Sequence, residues 1–126
     1  MSGPALTDFD DWLVRTYARV GAFTVLVILV DIGETSVTPL RSTHLHVIGD
    51  EIRWPEMARL FDGAGVPWTG AVFFQADRDG LVIDDEAKRR LASLVRHVNE
   101  DRKILNDGAF FDPNGLRLRL EEIPRG

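Results

Sequence analysis

The sequence predicts an α+β fold, with about three helices packed on a mainly antiparallel sheet. Three observations carry that expectation. "GAFTVLVILV" (residues 21–30) is an apolar run interrupted only by Thr24, the length and composition of a buried strand. Segments with apolar residues at helical spacing lie on both sides of it. Near the C-terminal end, "DPNGLRLRL" alternates apolar and charged residues after a turn, the pattern of a half-buried antiparallel strand. With 126 residues, 44% of them hydrophobic, the chain can bury a core without cross-links. No internal linker divides it, so residues 1–126 are expected to form a single globular domain.

The first helix is read from Phe9, Trp12, Leu13, Thr16, Tyr17 and Val20, with Thr7 as its cap and Asp10 completing a capping box. "FTVLVILV" follows as an interior strand, apolar on both faces. "WPEMARLFDGAG" gives a short second helix: proline suits its first turn, Met57, Leu60, Phe61 and Ala64 share a face, and the glycines end it. The third helix is expected from about Asp84 to Arg102, burying Ala87, Leu91, Leu94, Val95 and Val98. Asp84 is its expected cap, Asp85 and Glu86 meet its N-terminal dipole, and Arg102 and Lys103 its C-terminal end. The flanking stretches "FFQADRDGLVI" and "FFDPNGLRLRL" both read as hairpins turning at a glycine. In the second, Leu116, Leu118 and Leu120 form the buried face, Arg117, Arg119 and Glu121 the wet one.

Composition limits the function classes. The chain has no cysteine, which removes disulfides, thiolate metal sites and thiol catalysis and fits a cytoplasmic location. A net charge of -5 argues against nonspecific binding to nucleic acid or to an anionic membrane. The apolar run is too short to span a bilayer and is preceded by Asp8, Asp10 and Asp11, so neither a membrane helix nor a signal peptide is expected. A basic stripe of Arg89, Arg96 and Lys103 on the third helix reads as a solvated flank, and His97 beside it as a surface residue. Phosphate-loop, nucleophile-elbow and dinucleotide signatures do not occur.

Chemistry is concentrated in "STHLHVIGDE". On a strand, His44 and His46 project to one face and Leu45 and Val47 to the other, the arrangement two imidazoles need to share a metal. With Glu51 the string reads H-x-H-x-x-x-x-E, which resembles the core of the first cupin motif. That resemblance implies a divalent metal held by His44, His46 and Glu51 inside a β-barrel. It covers eight residues: the motif's flanking glycines are Thr38 and Ala58 here, and no second-motif histidine follows. The plainer account is a hairpin, "HVIGDEIRW", with both histidines on a solvated face. A second metal pattern runs from Gln75 to Glu86, with Asp77, Asp79 and Glu86 at EF-hand ligand positions around Gly80. Its first position is an amide, and the segment before it reads as a strand.

Three functions follow. The first is a non-catalytic interaction or regulatory domain, with a protein partner or a second copy and no cofactor. The second is a metal-dependent enzyme using the His-x-His pair and a divalent ion. The third is a small-ligand binder that holds its ligand between the third helix and the sheet, near Trp54, Trp68 or Arg96. The sequence ranks the interaction domain first because it needs no catalytic signature.

Overall fold

The computed structural model describes residues 6–118. In chain order these form α1 (Asp8–Val20), β1 (Phe23–Ile32), β2 (Val37–Val47), α2 (Trp54–Asp62), β3 (Gly70–Gln75), α3 (Asp84–Glu100), a 3-10 helix (Arg102–Asp107) and β4 (Ala109–Phe111). The strands make one antiparallel sheet in the order β2-β1-β3-β4. This is the α+β architecture the sequence predicts. No helix among the described residues is long and apolar enough to cross a membrane.

β1 sits in the interior of the sheet, and residues 23–30 are buried throughout. Its alternation sorts the core into two halves. Phe23, Val25, Val27 and Leu29 face α1 and α2, and pack with Phe9, Leu13, Trp54, Met57, Phe61, Phe73 and Phe111. Ile28 and Val30 face the other way, toward Val98 of α3 and Leu105 of the 3-10 helix, with Val37, Val72 and Phe110. Helices therefore cover the sheet on both sides, which is why this strand carries no polar face.

Local chemistry sets the helix starts. Thr7 accepts a hydrogen bond from the Asp10 N–H at 3.1 Å while the Asp10 carboxylate accepts from the Thr7 N–H at 3.0 Å, so the capping box forms. The same buried carboxylate accepts the Trp54 N–H at 2.7 Å and thereby ties α1 to the start of α2. α3 runs antiparallel to β2. At its C-terminal end the Arg102 guanidinium donates to the carbonyls of Val37, at 2.9 Å, and Val98, at 2.6 Å.

Several local expectations are corrected. "FFQADRDGLVI" turns at Gly80, which has φ 126°, but residues 81–83 do not return as a strand. β3 already has β1 on one edge and β4 on the other, so no edge is left for them. "HVIGDEIRW" is likewise not a hairpin: β2 ends at Val47, its partner is β1, and residues 48–53 lead into α2. Leu60 is 52% exposed, because α2 turns a narrow stripe of Trp54, Met57 and Phe61 to the sheet. In the last hairpin, Phe111 bridges Arg117 and Leu118 packs on the core, but Leu116 is 49% exposed. Leu120, Arg119 and Glu121 lie outside the described residues.

Candidate metal centre

In the β1–β2 ladder, Thr24 is opposite His46 and Leu26 is opposite His44. Both imidazoles thus lie on the face that α3 covers, as alternation along the strand requires, and Leu45 and Val47 lie on the other. Their ring centroids are 5.5 Å apart. Asp84, the first residue of α3, reaches over them, with its Oδ1 2.5 Å from His46 Nε2 and 3.2 Å from His44 Nε2. The sequence gives α3 no side-chain cap: Ile83 occupies that position and makes no capping hydrogen bond, which corrects the expectation that Asp84 caps the helix. Its carboxylate serves the histidines instead.

The loop before α3 is fastened to β1 by Thr24, a fully buried hydroxyl. Thr24 Oγ1 accepts the Val82 N–H at 3.0 Å and lies 2.8 Å from His46 Nδ1. One side chain therefore fixes both the His46 ring and the backbone two residues before Asp84. Hydrogen bonds from His46, and then from His44, hold the Asp84 carboxyl below the usual carboxylate range. Side-chain exposure rises from 17% at His44 to 32% at His46 and 66% at Asp84, so the cluster is seated on the sheet and open on its outer side.

Two imidazole nitrogens and a carboxylate oxygen, each within 4.8 Å of the others, are a fitting donor set for a divalent transition metal. Bonds of about 2.0–2.2 Å to such an ion require Asp84 Oδ1 to withdraw from His46 Nε2, a movement that its exposed side chain permits. The proton inventory also fits. With both Nε2–H groups donating to Asp84, His46 Nδ1 accepts from the Thr24 hydroxyl. When Nε2 instead offers its lone pair to a metal, Nδ1–H donates to Thr24, whose own proton turns toward the Val82 carbonyl 3.4 Å away. Thr24 thus supports either tautomer.

No protein-family model, curated protein or solved structure matches the chain.

Of the three metal ligands expected from sequence, the structure brings His44 and His46 together and leaves Glu51 exposed beyond the end of β2, outside the cluster. Asp84 takes the third place. The open four-stranded sheet also departs from the barrel that the cupin resemblance implies. The EF-hand pattern does not assemble either. Its entering element is β3, and Glu86 pairs with Arg89 at 3.3 Å and Arg90 at 3.2 Å, which lower its carboxyl pKa in that order. Trp54 and Trp68 pack on the α1/α2 side of the sheet, opposite α3, so they cannot join Arg96 around one ligand. Their indole N–H groups donate to the Pro113 carbonyl at 2.9 Å and to Asp62 at 3.0 Å.

Proposed function

We propose that this protein is a metal-binding domain that holds one divalent transition-metal ion, of the zinc type, through His44, His46 and Asp84. The convergence of both Nε2 atoms on a single Asp84 oxygen carries the reading. It is supported by the buried Thr24 hydroxyl behind His46, because metal-bound histidines usually donate their second ring nitrogen to an orienting acceptor. Mixed nitrogen and oxygen donors favour zinc, iron(II), nickel or manganese over calcium, which prefers oxygen alone.

The proposal is of binding, not turnover. Three protein ligands leave a coordination position for water, but that position faces solvent across an Asp84 side chain that is 66% exposed. A site of this openness lacks the water exclusion and fixed surroundings that strengthen catalytic electrostatics. An ion here would join β2 to the start of α3, and so add to the domain's stability.

The test is thermal unfolding of untagged protein after chelator removal, with and without added zinc, nickel or manganese. The expected outcome is a rise in melting temperature with a transition metal that calcium does not reproduce and that Asp84→Asn and His44→Ala each abolish. A melting temperature indifferent to every ion, or one raised equally in the variants, overturns the reading.

A further inference from the structure

β2 is an edge strand, and part of its outer edge is open. Backbone directions along it follow from β1. The Thr24 carbonyl accepts from Ala76 and the Val30 carbonyl from Thr69, so the even-numbered residues of β1 present their backbone to β3 and the odd-numbered ones to β2. Phe23, Val25, Val27 and Leu29 therefore bond Val47, Leu45, Thr43 and Arg41, their register partners. Ser42, His44 and His46 point their N–H and C=O groups outward. On the N-terminal side this edge is interrupted: the register shifts between Leu29 and Val30, Leu40 is left without a partner, and Pro39 has no N–H to offer. Only residues 41–47 remain as a regular, unpaired edge.

We propose that a second copy of this chain occupies that edge, β2 pairing antiparallel with β2 about a two-fold axis at His44. A two-fold axis makes any antiparallel edge its own complement, and the bulge at one end with the strand's end at Val47 at the other centres the pairing on His44. Ser42 then faces His46 of the second copy, and Arg41 faces its Val47. Charge complementarity supports this register. Arg41 makes no ion pair among the described residues, and neither do Asp50 and Glu51, which lie just past Val47, where the second copy's Arg41 arrives. Packing supports it too. Along the same edge runs a groove of about 470 Å³ between β2 and the end of α2, lined by Leu29, Leu45, Phe61 and the exposed Leu60. Both copies' grooves fall on one side of the joined sheet, flanking the seam.

The pairing has a consequence for the metal reading, on which it does not depend. The two His44 residues form the central hydrogen-bonded pair, at a Cα separation of about 5.5 Å, with their side chains on the α3 face. His44 of the second copy thus stands beside the His44, His46 and Asp84 cluster, within reach of the open coordination position.

The test is sedimentation equilibrium of the full untagged chain in the presence of chelator, which separates this proposal from metal binding. The expected mass is twice 14.1 kDa. Ser42→Pro removes an outward N–H without touching a β1 bond, and Arg41→Glu places a carboxylate against Asp50 and Glu51. Each should raise the dimer dissociation constant by on the order of tenfold or more while leaving the far-ultraviolet circular dichroism unchanged. Arg41→Glu is an exposed substitution and keeps the test valid if Ser42→Pro does not fold. A monomer at every concentration up to the solubility limit overturns the proposal, as does a dimer that neither substitution weakens.

Discussion

The two faces of the sheet are built on opposite plans. On the α1/α2 face, aromatic rings interlock: Phe9 lies 5.1 Å from both Trp54 and Phe73, and Trp12, Phe61, Trp68 and Phe111 extend the cluster. On the α3 face the core is mostly aliphatic, and of α3's seventeen residues only Ala87 and Val98 are fully buried. Rings fill space and exclude water over a wide area. A single helix over aliphatic side chains covers less, and its first turn overlies imidazoles instead of core. A polar site in a small domain can be placed at the margin of the thinner layer, where side chains are held on one side and reachable from the other.

Substitutions on the two faces should separate stability from binding. The largest effect is expected from Phe73→Ala, at about 3–5 kcal/mol in chemical denaturation, because a ring at the centre of the aromatic cluster leaves a cavity. Metal affinity of the folded fraction should be unchanged. Asp10→Ala orphans the N–H groups of Thr7 and Trp54 and should cost about 2–4 kcal/mol, again with no effect on metal binding. Thr24→Val acts on the α3 face and on both properties. Stability should fall by about 1–3 kcal/mol as the Val82 N–H loses its acceptor, and metal affinity by about 10–100-fold, with Thr24→Ser restoring most of each. An unchanged affinity in Thr24→Val would remove the hydroxyl from the account of the site.

The smallest effect concerns pH in the metal-free protein. Hydrogen bonds from His46 and His44 lower the folded-state pKa of Asp84 below its unfolded value. Its stabilisation is therefore present above the unfolded pKa of about 4 and is lost as pH falls through the lower folded value. Asp84→Asn should flatten the dependence of stability on pH below about pH 4. An identical acid slope in the two proteins would show that the carboxylate pairs no more favourably in the folded state than in the unfolded one.

Much of the fold was legible in the sequence because its signals are local. The capping box of Thr7 and Asp10, the unbroken apolar run of β1 and the proline and glycines around α2 each act within a few residues, and all appear in the structure. Local signals mislead where the decisive neighbour is distant. Residues 81–83 have strand composition, but the edges of β3 are occupied, and that is decided by tertiary pairing. The candidate site shows the same division. The two-residue period of a strand is enough to put His44 and His46 on one face. Asp84 is separated from His46 by 38 positions, and its place in the sequence suggests a helix cap, the ordinary role of aspartate there. Glu51 enters through the H-x-H-x-x-x-x-E spacing of the cupin resemblance, whereas the chain turns away after Val47 to start α2. The one sequence feature that bears on Asp84, unused in the reading of the motifs, is the polar Thr24 inside an otherwise apolar strand: a buried hydroxyl needs partners, and its partners are His46 and the loop that delivers Asp84.

The central claim is that the histidines and the aspartate form a metal site and not merely a hydrogen-bonded latch. Elemental analysis of untagged protein, purified without added metal or chelator, tests it most directly, followed by calorimetric titration with zinc of whatever fraction is empty. The account predicts that retained and titrated metal together approach one equivalent per chain, and that the His44→Ala/His46→Ala double variant, still folded, holds none. Metal-free protein that takes up no zinc, or a double variant that binds as much as the wild type, would contradict it.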